Sequence, residues 1–100
     1  MRRIRYLEEA QAEFLHEIGY FTDVSPRLAK GFDEAVQRAE SRAAEFPDMG
    51  MPYEFGTRRV LLPRKFKFSF VYLTFPSEVV VIALASFSRK PGYWRSRIAA

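Results

Sequence analysis

A chain of 100 residues supplies one core, and 48% hydrophobic residues, with 16% aromatic and ten Phe, are enough to fill it. That apolar content excludes a disordered chain, and the absence of Cys excludes a disulfide framework and a thiolate metal site. The net charge of +4 is unevenly spread. Residues 1–50 hold seven Lys/Arg and ten Asp/Glu, and residues 51–100 hold nine and two, so the halves carry −3 and +7. A basic half of this kind attracts nucleic acid, an anionic surface or an acidic protein.

The opening "MRRIRYLEEAQAEF" lacks the apolar run of a signal peptide, and no apolar stretch reaches membrane-spanning length. These features read as a cytoplasmic protein without a membrane partner. Residues Arg2 to Leu7 alternate weakly and read as an edge strand. Leu7, Ala10, Phe14, Ile18 and Phe21 then recur at helical spacing, with Gly19 leaving the end of that helix open. Ser25 is a good N-cap and Pro26 suits the first position of a second helix. Its stripe is Leu28, Phe32, Val36, Ala39, Ala43 and Phe46, and it stops at "FPDMGMP". The stripes of both helices, Phe46 included, are expected in the core, and the short connection predicts an antiparallel hairpin.

Three strands follow. "TRRVLLP" is short, "KFKFSFVYLTF" alternates, and "EVVVIALASF" is a continuous run expected of a central strand, joined to its predecessor by the loop "PSE". The predicted class is α+β in the order β-α-α-β-β-β. An antiparallel helical hairpin packs on one face of a small, mainly antiparallel sheet, with the first strand beside a later one. Residues 1–100 read as one domain, and residues 88–100 as a basic C-terminal tail.

Alternation puts Phe66, Phe68, Phe70 and Tyr72 on the helix-facing side and Lys65, Lys67 and Ser69 on the other. Arg58 or Arg59 joins the lysines according to register, and Arg89 and Lys90 emerge just past the last strand. The predicted result is a cationic sheet face with Tyr93 and Trp94 close by, suited to an anionic strand or an acidic partner. Pro91 and Gly92 turn the chain off that strand. Trp94 is expected to fold back over apolar surface, and Arg95 and Arg97 to be solvated. His16, alone and off the helical stripe, is read as exposed rather than catalytic. No metal site and no cofactor are implied.

Four stretches together, "EEAQAEFLHEIGYF", "SPRLAKGFDEAVQRAESRAAEFPDMG", "RRVLLPRKFKFSFVYL" and "EVVVIALASFSRKPGYW", resemble the RelE/ParE superfamily of bacterial toxins over almost the whole chain. The resemblance implies the toxin of a type II toxin–antitoxin pair, neutralised by a small cognate antitoxin that wraps it. RelE-like members cut mRNA on the ribosome, and ParE-like members inhibit DNA gyrase without being enzymes. Arg89 and Tyr93 match positions where RelE-like nucleases place a basic and an aromatic site residue. Arg59, Lys65 and Lys67 match by strand. The chain departs from the pattern H-x-x-R-x-P-x-Y-W at Ser86, which cannot replace imidazole as a base near neutral pH. Glu54, in a loop flanked by Pro and Gly, is the remaining candidate base. The expected function is therefore gyrase-directed, with ribosome-dependent mRNA cleavage or a non-toxic, antitoxin-binding member as alternatives.

Overall fold

The break at Ser25 works as the local chemistry dictates. Its N–H closes the first helix on the Phe21 carbonyl (2.8 Å), and its Oγ accepts from the Leu28 N–H (3.5 Å) at the start of the second. In the computed structural model, which describes residues 1–98, the chain runs β1 (Arg3–Tyr6), α1 (Glu8–Val24), α2 (Pro26–Glu45), β2 (Met51–Pro52), β3 (Arg58–Leu61), β4 (Phe68–Thr74) and β5 (Glu78–Ser86). Short 3₁₀ turns occupy Glu54–Gly56 and Arg95–Arg97. Gly19 does not interrupt α1; it lies on the exposed side, with nothing within 4 Å of the place a Cβ would take.

The sheet order is β1-β5-β4-β3-β2, with β1 parallel to β5 and every other pair antiparallel. The predicted β-α-α-β-β-β architecture is thus present, with one further two-residue strand, β2, at the edge. The helical hairpin carries the chain from β1 at one edge of the sheet to β2 at the other, and β3, β4 and β5 then bring it back strand by strand until β5 lies parallel beside β1. It covers one sheet face through a cluster of Phe14, Phe21, Phe32, Phe66 and Phe68, and Phe21 and Phe32 meet the two sheet-side rings at 5.4 to 6.5 Å. Most contacts there are edge-on, the arrangement aromatic quadrupoles favour.

Two expectations need correction. Phe46 is not core: it follows the last turn of α2 and is exposed, because the chain turns away there toward Met49. The alternation of "KFKFSF" begins only at Phe68. Phe66 reaches the core from a turn closed by its N–H on the Pro63 carbonyl, and Lys67 adopts a left-handed φ of 55°. Lys65 and Lys67 therefore do not stand in the strand face opposite the phenylalanines: both are exposed in the β3–β4 connection, and the Lys65 ammonium lies over the Phe66 ring. The run "VVVIALA" is, as expected, a central strand covered on both faces, and it carries an irregularity. The β4–β5 register slips between Val71 and Tyr72, so Val79, Val81 and Leu84 face the helices while Val80, Ile82 and Ala83 face away. A bulge that adds one residue shifts the two-residue period in this way.

The turn after α2 is clamped from the sheet. The Tyr72 hydroxyl donates to the Pro47 carbonyl (2.7 Å) and accepts from the Gly50 N–H (3.2 Å), while the Arg58 guanidinium donates to the carbonyls of Asp48 and Gly50. A Cβ on Gly50 would run into the Tyr72 hydroxyl and ring. Gly50→Ala is expected to destabilise by about 1–3 kcal/mol, the range for overpacking a filled site, with Tyr72→Phe partly relieving it. Thermal melts of the two single variants and the double variant check this.

Candidate functional site

The sheet face away from the helices is apolar where a cationic one was expected. Val71, Val80, Ile82 and Ala83 are buried there under Trp94, which is 1% exposed. The tail thus closes the second face of the sheet, as the amphipathic indole suggested.

What holds the tail is a cluster built on the β5 bulge. β1 ends at Tyr6, so among the described residues the edge of β5 beyond Val81 has no strand on that side. Two of its backbone groups find side chains instead: the Leu84 N–H donates to Glu13 of α1 (3.1 Å), and the Ile82 carbonyl accepts from Arg97 (3.0 Å). Arg97 and Glu13 pair through two parallel bonds of 2.9 Å, with side chains only 13% and 16% exposed. The Tyr93 hydroxyl donates to the same carboxylate. Arg97 is therefore an anchor and not the solvated charge expected of it. Bidentate guanidinium–carboxylate geometry is the strongest form of such a bond.

Burial, reinforced by the Glu13 carboxylate that accepts its proton, pushes the Tyr93 phenol well above its ordinary value. The Tyr6 phenol, buried and donating to Glu40, shifts the same way. Unfolded phenols release their protons near pH 10 while the folded ones retain them, so stability is full below about pH 10 and falls above it. Urea midpoints measured from pH 8 to 11 are expected to drop on the alkaline side, and to drop less steeply in Tyr93→Phe.

Between the docked tail and the strands lies a cavity of ≈ 360 Å³. Arg59 of β3, Ser86 at the end of β5, Arg89 and Lys90 of the following turn, and Tyr53 and Tyr93 all line it. The cations are held by aromatic faces. The Arg89 guanidinium lies 3.8 Å from the Tyr93 ring centre and that of Arg59 4.2 Å from Tyr53, which itself packs on Trp94 at 5.9 Å. The Arg59 Nε is buried without a hydrogen-bond partner. A buried donor left unpaired is costly.

Of the residues singled out from the sequence, Arg59, Arg89, Lys90 and Tyr93 come together here, while Lys65 and Lys67 do not line the cavity. Register decides between the two arginines of β3: Arg58 pairs with Tyr72 on the helix side and Arg59 with Val71 on the far side. Glu54 sits in the 3₁₀ turn with its carboxylate near Gly92, a residue whose φ of 76° and closeness to the Phe55 ring leave little room for a side chain. His16 is exposed on α1. Tyr53 and Glu13 were missed. The proline-flanked "PYEFG" marks Tyr53 only as a turn, and Glu13 looks like any solvated helical acid.

No family model matches the chain, and no curated protein matches its sequence. Among solved structures, it is similar to a chain described as the chromosomal ParDE TA system from P. aeruginosa, at 17% identity and a TM-score of 0.72, covering 86% of this chain and 96% of that one. The chain therefore shares the fold of that ParDE chain, a helical hairpin on one face of a five-stranded sheet.

Proposed function

We propose that the chain is the toxin of a type II toxin–antitoxin pair, held inactive by a cognate antitoxin, and that it acts by binding DNA gyrase rather than by cutting RNA. The basic cavity is its working surface, with Arg59, Arg89 and Lys90 as the target-binding cations. The observation that carries the binding mode is the state of Tyr93. Its hydroxyl is spent as a donor to Glu13 and its phenol is shifted upward, so no phenolate is on hand to take a proton near neutral pH. Ser86, also in the cavity, bonds Ser88 at 2.9 Å; the imidazole of His16 lines an adjoining cavity with both serines but makes no hydrogen bond to Ser86 that would activate it. The cavity thus offers cations that attract and position an anionic partner, without a base matched to strand cleavage. The similarity to a ParDE system supports the toxin–antitoxin assignment.

The test is a supercoiling assay with purified chain and DNA gyrase, run beside mRNA on programmed ribosomes. Inhibited supercoiling with trapped DNA breaks and intact mRNA is the expected result. Cleaved mRNA with supercoiling untouched would replace this reading with the RelE-like one, and an inert protein in both assays would leave only antitoxin binding.

A further inference from the structure

A second basic surface lies outside the cavity. Arg27, Arg38 and Arg42 of α2 stand eleven and four positions apart, which a helix of ~3.6 residues per turn places on one face. That face adjoins the β3–β4 connection. A Cβ on Gly31 would meet the Phe66 ring at 3.6 Å, the Lys65 ammonium lies 5.2 Å from the centre of the same ring, and Arg38, Arg42 and Arg64 line one groove of ≈ 330 Å³. All five cations are exposed, and none is ion-paired with a carboxylate of the described residues. Lys65, which does not line the cavity, thus belongs to a basic surface of another kind.

What lies between these cations decides the partner they fit. A second groove on α2 is walled by Glu34, Gln37 and Ser41 together with Arg38 and Arg42. Neither groove has an aromatic side chain in its wall, so nothing there stacks an unpaired base as single-strand sites do. An acidic protein would need an apolar centre to its interface, and of the apolar residues in the grooves only Leu61 and Pro63 are exposed. Exposed cations with amide and hydroxyl groups between them are the side chains that hold a phosphate backbone. Glu34 is the one acid lining the two grooves, against three arginines. The length also fits. From Arg27 to Arg42 the helix rises about 22 Å, which matches roughly six successive phosphates along one strand of a duplex.

We infer that the outer face of α2, with Arg64 and Lys65 beside it, binds the sugar–phosphate backbone of duplex DNA without reading its sequence. Arg27, Arg38 and Arg42 follow the phosphates of one strand, and Gln37 and Ser41 donate between them. Binding is driven by the counterions that the phosphates release, so it weakens steeply with salt. The strip shares no cation with the cavity, whose cations are Arg59, Arg89 and Lys90. The inference therefore does not rest on the reading of the cavity as the working surface. If both hold, the chain meets a target that carries DNA at two separate places.

The probe is a labelled DNA duplex of about 20 base pairs and mixed sequence, titrated with the full chain between ~50 and ~200 mM salt and followed by fluorescence anisotropy. Five phosphate contacts predict a slope of log affinity against log salt near about −4. In Arg38→Gln/Arg42→Gln/Arg64→Gln the slope is expected to shrink in magnitude by about 2 to 3, and affinity at the lowest salt to fall at least about tenfold. The cavity variant Arg59→Ala/Arg89→Ala is expected to lose less. The three arginines are exposed and glutamine is a good helix former, so the triple variant keeps its melting temperature. Arg27→Gln/Lys65→Gln tests the strip a second time, with an expected shrinkage of about 2. No duplex binding at the lowest salt, an unchanged slope in the folded triple variant, or a larger loss in the cavity variant would each overturn the inference. So would tighter binding of the single strand of the same sequence, or of a polyglutamate of similar length. Because no gyrase is present, that failure stays separate from failure of the supercoiling assay.

Discussion

Trp94→Ala is expected to lower stability by about 3–5 kcal/mol, the range for truncating a large aromatic side chain in a filled core. For a chain of this length that corresponds to a fall in melting temperature of roughly 15–25 °C. The reason is architectural. Trp94 covers Val71, Val80, Ile82 and Ala83 on the sheet face that the helices do not reach, and Tyr53 and Phe55 pack on its indole. Its loss exposes the second core and removes the floor that Tyr53 needs to hold Arg59. Calorimetry on Trp94→Ala and Trp94→Phe separates the two roles, with the phenylalanine variant expected to recover much of the stability.

Glu13→Ala is expected to cost about 3 kcal/mol, because it strands Arg97 as a largely buried charge and removes an acceptor from both Tyr93 and the Leu84 N–H. The cost should be smaller when the charge is removed with its partner. The double variant Glu13→Leu/Arg97→Met is expected to be more stable than Glu13→Ala, as apolar replacements of buried ion pairs often are. Urea unfolding of these variants and Arg97→Met gives the coupling between the two positions. If Glu13→Ala melts within about 1 kcal/mol of the parent chain, the pair is not the anchor described here.

The elements legible from the sequence were those set by neighbours along the chain. Ser25 and Pro26 declare a helix start within four residues, and Phe32, Val36, Ala39 and Ala43 repeat a period that only a buried helix face explains. Trp94 was legible as a covering residue because an amphipathic ring after a Pro-Gly turn has few other uses. Lys65 and Lys67 misled because alternation signals a face only where the chain is already extended, and at Lys67 it bends through a left-handed conformation. The bulge in "VVVIALA" left no trace, since a continuous apolar run reads the same with or without a slipped residue. Arg97 was unreadable for another reason: its partner, Glu13, lies 84 residues away, and only the fold brings the two together.

The cations that do come together lie in a different place from the one expected. It is a cavity made when the tail folds over the sheet, with Arg59 from a strand and Arg89 and Lys90 from a turn, rather than a row of lysines along one strand. The account rests on that cavity being the surface that engages the target. The most direct measurement is the concentration of purified Arg59→Ala/Arg89→Ala protein that halves gyrase supercoiling, compared with the parent chain, with melting temperatures measured alongside. Removing two of the cations that line the cavity predicts at least about a tenfold higher concentration at a melting temperature close to that of the parent. Inhibition equal to that of the parent chain, from a folded double variant, would contradict it.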